Sequence, residues 1–303
     1  MLQHSSWAFG LAALSGIGFA CLGVSWRWGQ AKGVPPTHVA LVISVIGAAF
    51  FALRAGDSLN APALIWVLGL TVGVSQYATI KLIKPALSRG PLSPLWCAIG
   101  LGFIVTITYA KIFLGEALRP VQCLGVAAAV ACVIVASLAQ GHSADESGSG
   151  TRRRLTDQVT YGLLLLLILL TSSGTAVMVK YLGSRAYSPN QSYMDHFGGL
   201  FYVLLYAVFG LLILGETVVT RPGGIPLKWM LAVGIFGSAG SVAGLWAWGA
   251  ASALPAAIIF TVSGVVSIVG AAIVSVAFFG ERASAGWFAT LGLAVVSVLL
   301  VNA

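Results

Sequence analysis

Apolar runs with few or no acids alternate along this chain with short polar connections marked by Pro and Gly. The runs lie near Trp7–Ser25, Thr37–Leu53, Pro62–Ile80, Pro91–Leu114, Val121–Ala139, Val159–Val179, Ser192–Leu214, Leu227–Ala250, Pro255–Phe279 and Ala285–Val301. Most approach about 20 residues, the helix length that crosses a hydrocarbon core about 30 Å thick. A backbone in lipid must satisfy its own hydrogen bonds, so only helices or a closed barrel can span it. Barrel strands would alternate at period two. The stretch from Tyr161 to Leu170 is apolar on every face instead. The pattern predicts an all-α integral membrane protein with ten transmembrane helices. Pro35-Pro36, Pro62, Gly90-Pro91, Pro120, Pro189, Pro222-Gly223-Gly224 and Pro255 separate the runs, as residues that break or start helices do.

One connection is long. From Gln140 to Gln158 the chain is polar, rich in Gly and Ser, and carries both charge signs, the composition of a flexible linker. It divides the chain into a first five-helix unit (1–140), a linker (141–158) and a second unit (159–303). The units share a phrase 165 residues apart: Ile112-Phe113-Leu114-Gly115-Glu116 and Ala277-Phe278-Phe279-Gly280-Glu281. Five spans is an odd number, so the second unit enters from the opposite face. The expectation is two inverted five-helix repeats, with a solute path near the midplane at their interface.

Composition removes other classes. With 58% hydrophobic and 8% charged residues, the chain lacks the polar surface of a soluble domain, where about a quarter of residues are charged. The net charge of +8 sits mainly at run ends and in connections. The one basic cluster, Arg152-Arg153-Arg154, makes no nucleic-acid face. Cys21, Cys97, Cys123 and Cys132 lie in apolar runs without metal-ligand spacing and read as small hydrophobes. The first run follows an uncharged hexapeptide, unlike a signal peptide, and is expected to remain as a span. Eleven of the sixteen Lys and Arg fall on the side of the odd-to-even connections, which by the positive-inside rule places both termini outside.

The paired five-span units and the phrase closing each fourth span resemble the drug/metabolite transporter superfamily, specifically its EamA-type members. The first copy reads Phe113-Leu114-Gly115-Glu116-Ala117-Leu118-Arg119-Pro120, with Gly125 following at the family's usual interval. The second reads Phe279-Gly280-Glu281-Arg282-Ala283-Ser284, with Gly292 two residues later than its counterpart. A Pro frequent about a dozen residues before Gly-Glu is replaced by the regions of Gly102 and Ser267, so the chain resembles a divergent member. The likeness implies a secondary transporter of small organic solutes, often an exporter of amino acids, metabolites or toxic compounds. It also implies that spans 1, 3 and 4 with 6, 8 and 9 surround a central cavity, and that both termini are cytoplasmic.

The candidate site residues are polar and aromatic side chains within spans. Gln76 and Tyr77 lie in the third, Thr106 and Tyr109 in the fourth, Ser172, Ser173 and Thr175 in the sixth. Trp246 and Trp248 lie in the eighth, and Thr261, Ser263 and Ser267 in the ninth. Hydrogen-bonding groups among aromatic walls suit a small amphipathic solute; close helix packing is the competing use of Ser, Thr and Gly. Lys111 reads as a side chain snorkelling from a span end, with a cavity-facing cation as the alternative. Gly115, Glu116, Gly280 and Glu281 read as a structural motif, Gly ending a helix and Glu near the N-terminus of the next. Asp195 and His196 are a candidate gating or proton-responsive pair, against an interfacial helix start. No acid lies near the middle of a span, so weak or no carboxylate coupling is expected, with transport facilitative or by exchange.

The function predicted is alternating-access transport of a small organic solute in the inner or plasma membrane. No cofactor, metal or nucleic-acid partner is expected, and a monomer is compatible with the plan. The alternatives are a non-transporting membrane scaffold or receptor, and a membrane-embedded enzyme. The latter lacks any recognisable catalytic cluster in the sequence.

Overall fold

A computed structural model describes residues 2–56, 60–89, 98–99, 101–141, 155–220, 226–279 and 285–302. The elements are α1 (Leu2–Ala31), α2 (Pro36–Ala52), α3 (Ala63–Arg89), α4 (Gly102–Phe113), α5 (Pro120–Gly141) and α6 (Leu155–Ser184). A hairpin of β1 (Ala186–Ser188) and β2 (Gln191–Ser192) leads to α7 (Tyr193–Thr220). Then follow α8 (Leu227–Ala251), α9 (Ala256–Phe279) and α10 (Ala285–Asn302). Of these, α1, α3, α6, α7, α8 and α9 are long and apolar enough to cross a membrane, and shorter apolar helices fall in the other four. The chain is an all-α membrane protein.

Several ends differ from the hydrophobic runs. The first span extends to Leu2 and Ala31, and the third continues to Arg89 with Pro85 inside the helix. Hydropathy marks the lipid-crossing stretch, while the backbone ladder continues into the interface until a turn ends it. The hairpin was not foreseen. Pro189 and Asn190 form its turn, and Ala186 pairs with Ser192. Leu163, Leu166, Leu167 and Leu170 on α6 are exposed, an apolar surface that suits lipid and not water.

Helix α1 packs along α8 and α9, whereas α6 packs along α3 and α4. Helix α7 lies against α2 and α3, α2 also touches α8, and α5 pairs with α10. Glycines set the closest approaches. A Cβ on Gly18 would lie 2.5 Å from the Gly240 carbonyl oxygen and 2.7 Å from the Gly244 nitrogen. Only a missing side chain lets two helix backbones meet so closely. Gly237 faces Ser25 and Gly29 faces Val233, so α1 and α8 run antiparallel. Gly69 faces Leu204 and Gly73 faces Val208, so α3 and α7 run parallel. Two apolar cores result. One gathers Phe51, Phe201, Tyr202 and Tyr206 where α2, α3, α7 and α8 meet. The other gathers Phe103, Ile107, Ile259 and Phe260 between α4 and α9.

Candidate functional site

The polar residues of the spans fall into two clusters. In the first, Trp248 of α8 donates its indole N–H to Ser263 Oγ of α9 at 3.0 Å. Ser263 Oγ also lies 3.0 Å from Ser15 Oγ of α1. Phe19 and Phe260 flank the indole at centroid distances of 4.5 and 5.0 Å. In the second cluster, α3 meets α6. The Gln76 side-chain amide donates to Thr175 Oγ1 at 2.7 Å. Ser75 donates to the Thr171 carbonyl at 2.9 Å, and Thr79 to Thr171 Oγ1 at 2.8 Å. Each cluster satisfies polar groups in a medium without water.

Between the clusters, α4 and α9 cross. Phe103 packs over Gly264, where an added Cβ would approach its ring to 3.1 Å. The segment after α4 bonds to the start of α9, so the two helices run antiparallel. One turn onward from the Phe103–Gly264 contact, in the same direction along both, stand Thr106 and Thr261. Each is fully buried, and each hydroxyl lacks a hydrogen-bond partner. A helical Thr ordinarily bonds a carbonyl one turn back. A buried hydroxyl left open is costly.

Other candidates sit apart from this crossing. Ser172 and Ser173 donate to the Leu169 carbonyl, and Ser173 faces Gly102 of α4. Tyr109 stacks on Phe113. Ser267 is half-buried in α9. Lys111 is exposed on a lateral groove of about 450 Å³ with Ile104, Thr108, Leu118 and Cys123. Trp246 is partly exposed, with the Arg54 guanidinium 5.8 Å from its ring. Tyr77 donates to Glu216 at 3.2 Å, and Lys81 pairs with the same carboxylate.

Asp195 and His196 take separate partners. Asp195 Oδ2 accepts the Ser192 N–H at 2.9 Å and the Ser192 hydroxyl at 2.8 Å, while its own N–H reaches Ser192 Oγ at 3.2 Å. This reciprocal arrangement caps α7. His196 stacks on Tyr187 at 4.5 Å. Both residues are exposed.

Gly280 and Glu281 lie outside the described residues. Gly115 takes φ +68°, the left-handed turn expected of a glycine ending a helix. The following Glu116 returns its N–H to the Ala110 carbonyl at 3.2 Å. Its carboxylate does not serve the next helix, α5, as the spacing suggested. Oε2 accepts the Ala256 N–H at the start of α9 at 2.9 Å, and Oε1 pairs with Lys180. The sixth apolar run ends at Val179, so hydropathy alone puts Lys180 in a connection. It lies inside α6 and is 1% exposed, donating also to the Leu254 carbonyl at 2.6 Å and the Ser252 carbonyl at 3.4 Å. No local signal marks it: its burial depends on the ends of α8 and α9, distant in sequence.

No family model matches the chain, and no curated protein matches it significantly. A solved structure described only as "Crystal structure of protein" is similar over 97% of this chain and 96% of its own. The TM-score is 0.74 at 16% sequence identity, a likeness of fold alone.

Proposed function

We propose that the protein is a secondary transporter of small organic solutes, built as ten spans in two inverted repeats and resembling EamA-type transporters. The observation that carries this reading is the exchange pattern of helix packing. Replacing each of α1, α3 and α4 by its equivalent five helices on turns the packing of α1 on α8 and α9 into that of α6 on α3 and α4. Helix α7 on α3 likewise becomes α2 on α8, and α5 on α10 maps onto itself. The antiparallel α4 and α9 are what an axis in the membrane plane produces. Helices that cross between halves are arranged to rock against each other around a central site.

Thr106 and Thr261, unpartnered at that crossing, are the groups best placed to receive a solute's polar atoms as the halves separate. Trp248 and Gln76, at the flanking clusters, supply an aromatic wall and an amide. No acid among the described residues lies near a span's midpoint, which supports facilitative movement or exchange over proton coupling.

The test is counterflow in proteoliposomes preloaded with amino acids, nucleosides or organic cations. At least one class is expected to exchange above protein-free vesicles, and Thr106→Val should reduce that exchange. Exchange of nothing in the panel, or accumulation driven by a pH gradient alone, would overturn the reading or its coupling.

A further inference from the structure

We propose that Lys180 and the Ala256 N–H form a carboxylate-binding site at one mouth of the passage, filled in this structure by Glu116, and that the carboxylate of an anionic or zwitterionic solute displaces Glu116 from it. The proposal rests on the transporter reading and names the chemistry of its solute.

The geometry is that of a bound carboxylate. Oε1 of Glu116 meets the Lys180 ammonium, and Oε2 meets the first N–H of α9 at 2.9 Å. An ammonium together with the positive end of a helix is the pair of elements that holds free carboxylates and phosphates. The ammonium is itself aimed. Two of its three donors go to the Leu254 and Ser252 carbonyls beyond α8, leaving the third for the anion. Gly183, one turn from Lys180, brings α6 directly against Ser252, the residue whose carbonyl takes one of those donors.

The occupant is less fixed than the site. Glu116 stands on the segment between α4 and α5, behind the left-handed Gly115, and its side chain is 23% exposed against 1% for Lys180. A competitor therefore arrives from the side of Glu116. Withdrawal of Glu116 alone would strand a buried ammonium, which low-dielectric surroundings strongly oppose. Withdrawal in exchange for another carboxylate keeps the ammonium paired throughout. The mouth opens when an anion is present to take the place of Glu116, and it stays shut otherwise. In the pair at the opposite end the cation, Lys81, is 45% exposed, so it can part from Glu216 into water at little cost.

The experiment is thermal unfolding of Glu116→Ala in detergent, in acetate and in chloride at equal ionic strength. Acetate is expected to restore at least half of the lost midpoint, as a ligand selective for the folded state does. The Glu116→Ala/Lys180→Met double variant should respond equally to both salts. An equal response in the single variant, or acetate recovery surviving in the double, overturns the site. Should Glu116→Ala not purify, hydrogen exchange on the unaltered protein decides. Acetate should speed exchange over residues 114–119 and methylammonium chloride should not; equal exchange in both overturns the proposal. Acetate recovery without solute exchange in liposomes would fault the transporter reading; exchange without recovery would fault this site alone.

Discussion

Trp248 and Ser263 complete each other's hydrogen bonding: the indole N–H of α8 ends on the Ser263 hydroxyl of α9 at 3.0 Å, and that hydroxyl lies 3.0 Å from Ser15 on α1. Three helices of different origin in the chain thus meet at one hydroxyl. Replacing Ser263 by Ala leaves the partly buried indole N–H without its acceptor, at a cost of about 1 kcal/mol. A lowered unfolding midpoint in Ser263→Ala, reduced much less by Ser267→Ala, is the expected result by tryptophan fluorescence.

Thr106→Val and Thr261→Val should behave in the opposite sense. Both hydroxyls are buried and unpartnered, and Val fills nearly the same volume. Removing an unsatisfied hydroxyl is neutral or stabilising. Unfolding midpoints equal to or above the parent, combined with slower solute exchange, are expected. A large loss of stability would place the hydroxyls in packing alone.

At the α1–α8 contact, a Cβ on Gly18 meets backbone atoms at 2.5 and 2.7 Å. Backbone cannot rotate away as a side chain can. Gly18→Val is expected to force α1 from α8 at a cost of at least about 1–3 kcal/mol. Gly23→Val, where an added Cβ meets nothing within 4 Å, is the control. Monodispersity on gel filtration should separate the two.

The two ion pairs should differ in weight. Lys81→Met removes the pair whose cation is 45% exposed, worth about 0.2–1 kcal/mol. Glu116→Ala strands the Lys180 ammonium, 1% exposed, where breaking a buried pair costs about 3–5 kcal/mol. Unfolding midpoints of both variants, measured side by side, test this ordering.

Asp195→Ala should destabilise by about 0.5–2 kcal/mol, the value of a helix cap, because the Ser192–Asp195 exchange secures the start of α7. Solute exchange with the same pH dependence as the parent's is expected. A changed pH profile would support a gating role for Asp195.

The all-α, apolar character of the chain is legible in the sequence because a backbone in lipid must be helical and its surface apolar, and Pro or Gly punctuates the helix ends. The glycine turn at Gly115 was legible for the same local reason. Partners were not. Gln76 and Thr175 were both read as polar residues within spans, yet nothing near either one says that they bond each other across α3 and α6. Glu116 was correctly placed near a helix start, but hydropathy pointed to the next helix, whereas tertiary packing delivers α9. Lys180 is illegible as a buried residue because a charge close to a run's end looks like its boundary. Only the arrival of Glu116 and two carbonyls makes its burial tolerable.

Helix α1 rests mainly on α8 and α9, elements that a ribosome delivers long after it. During synthesis α1 must wait in the bilayer, its small-residue face covered by lipid or a chaperone, until α8 and α9 have been inserted. A nascent chain truncated before Leu227 would accordingly present that face to quality-control proteases.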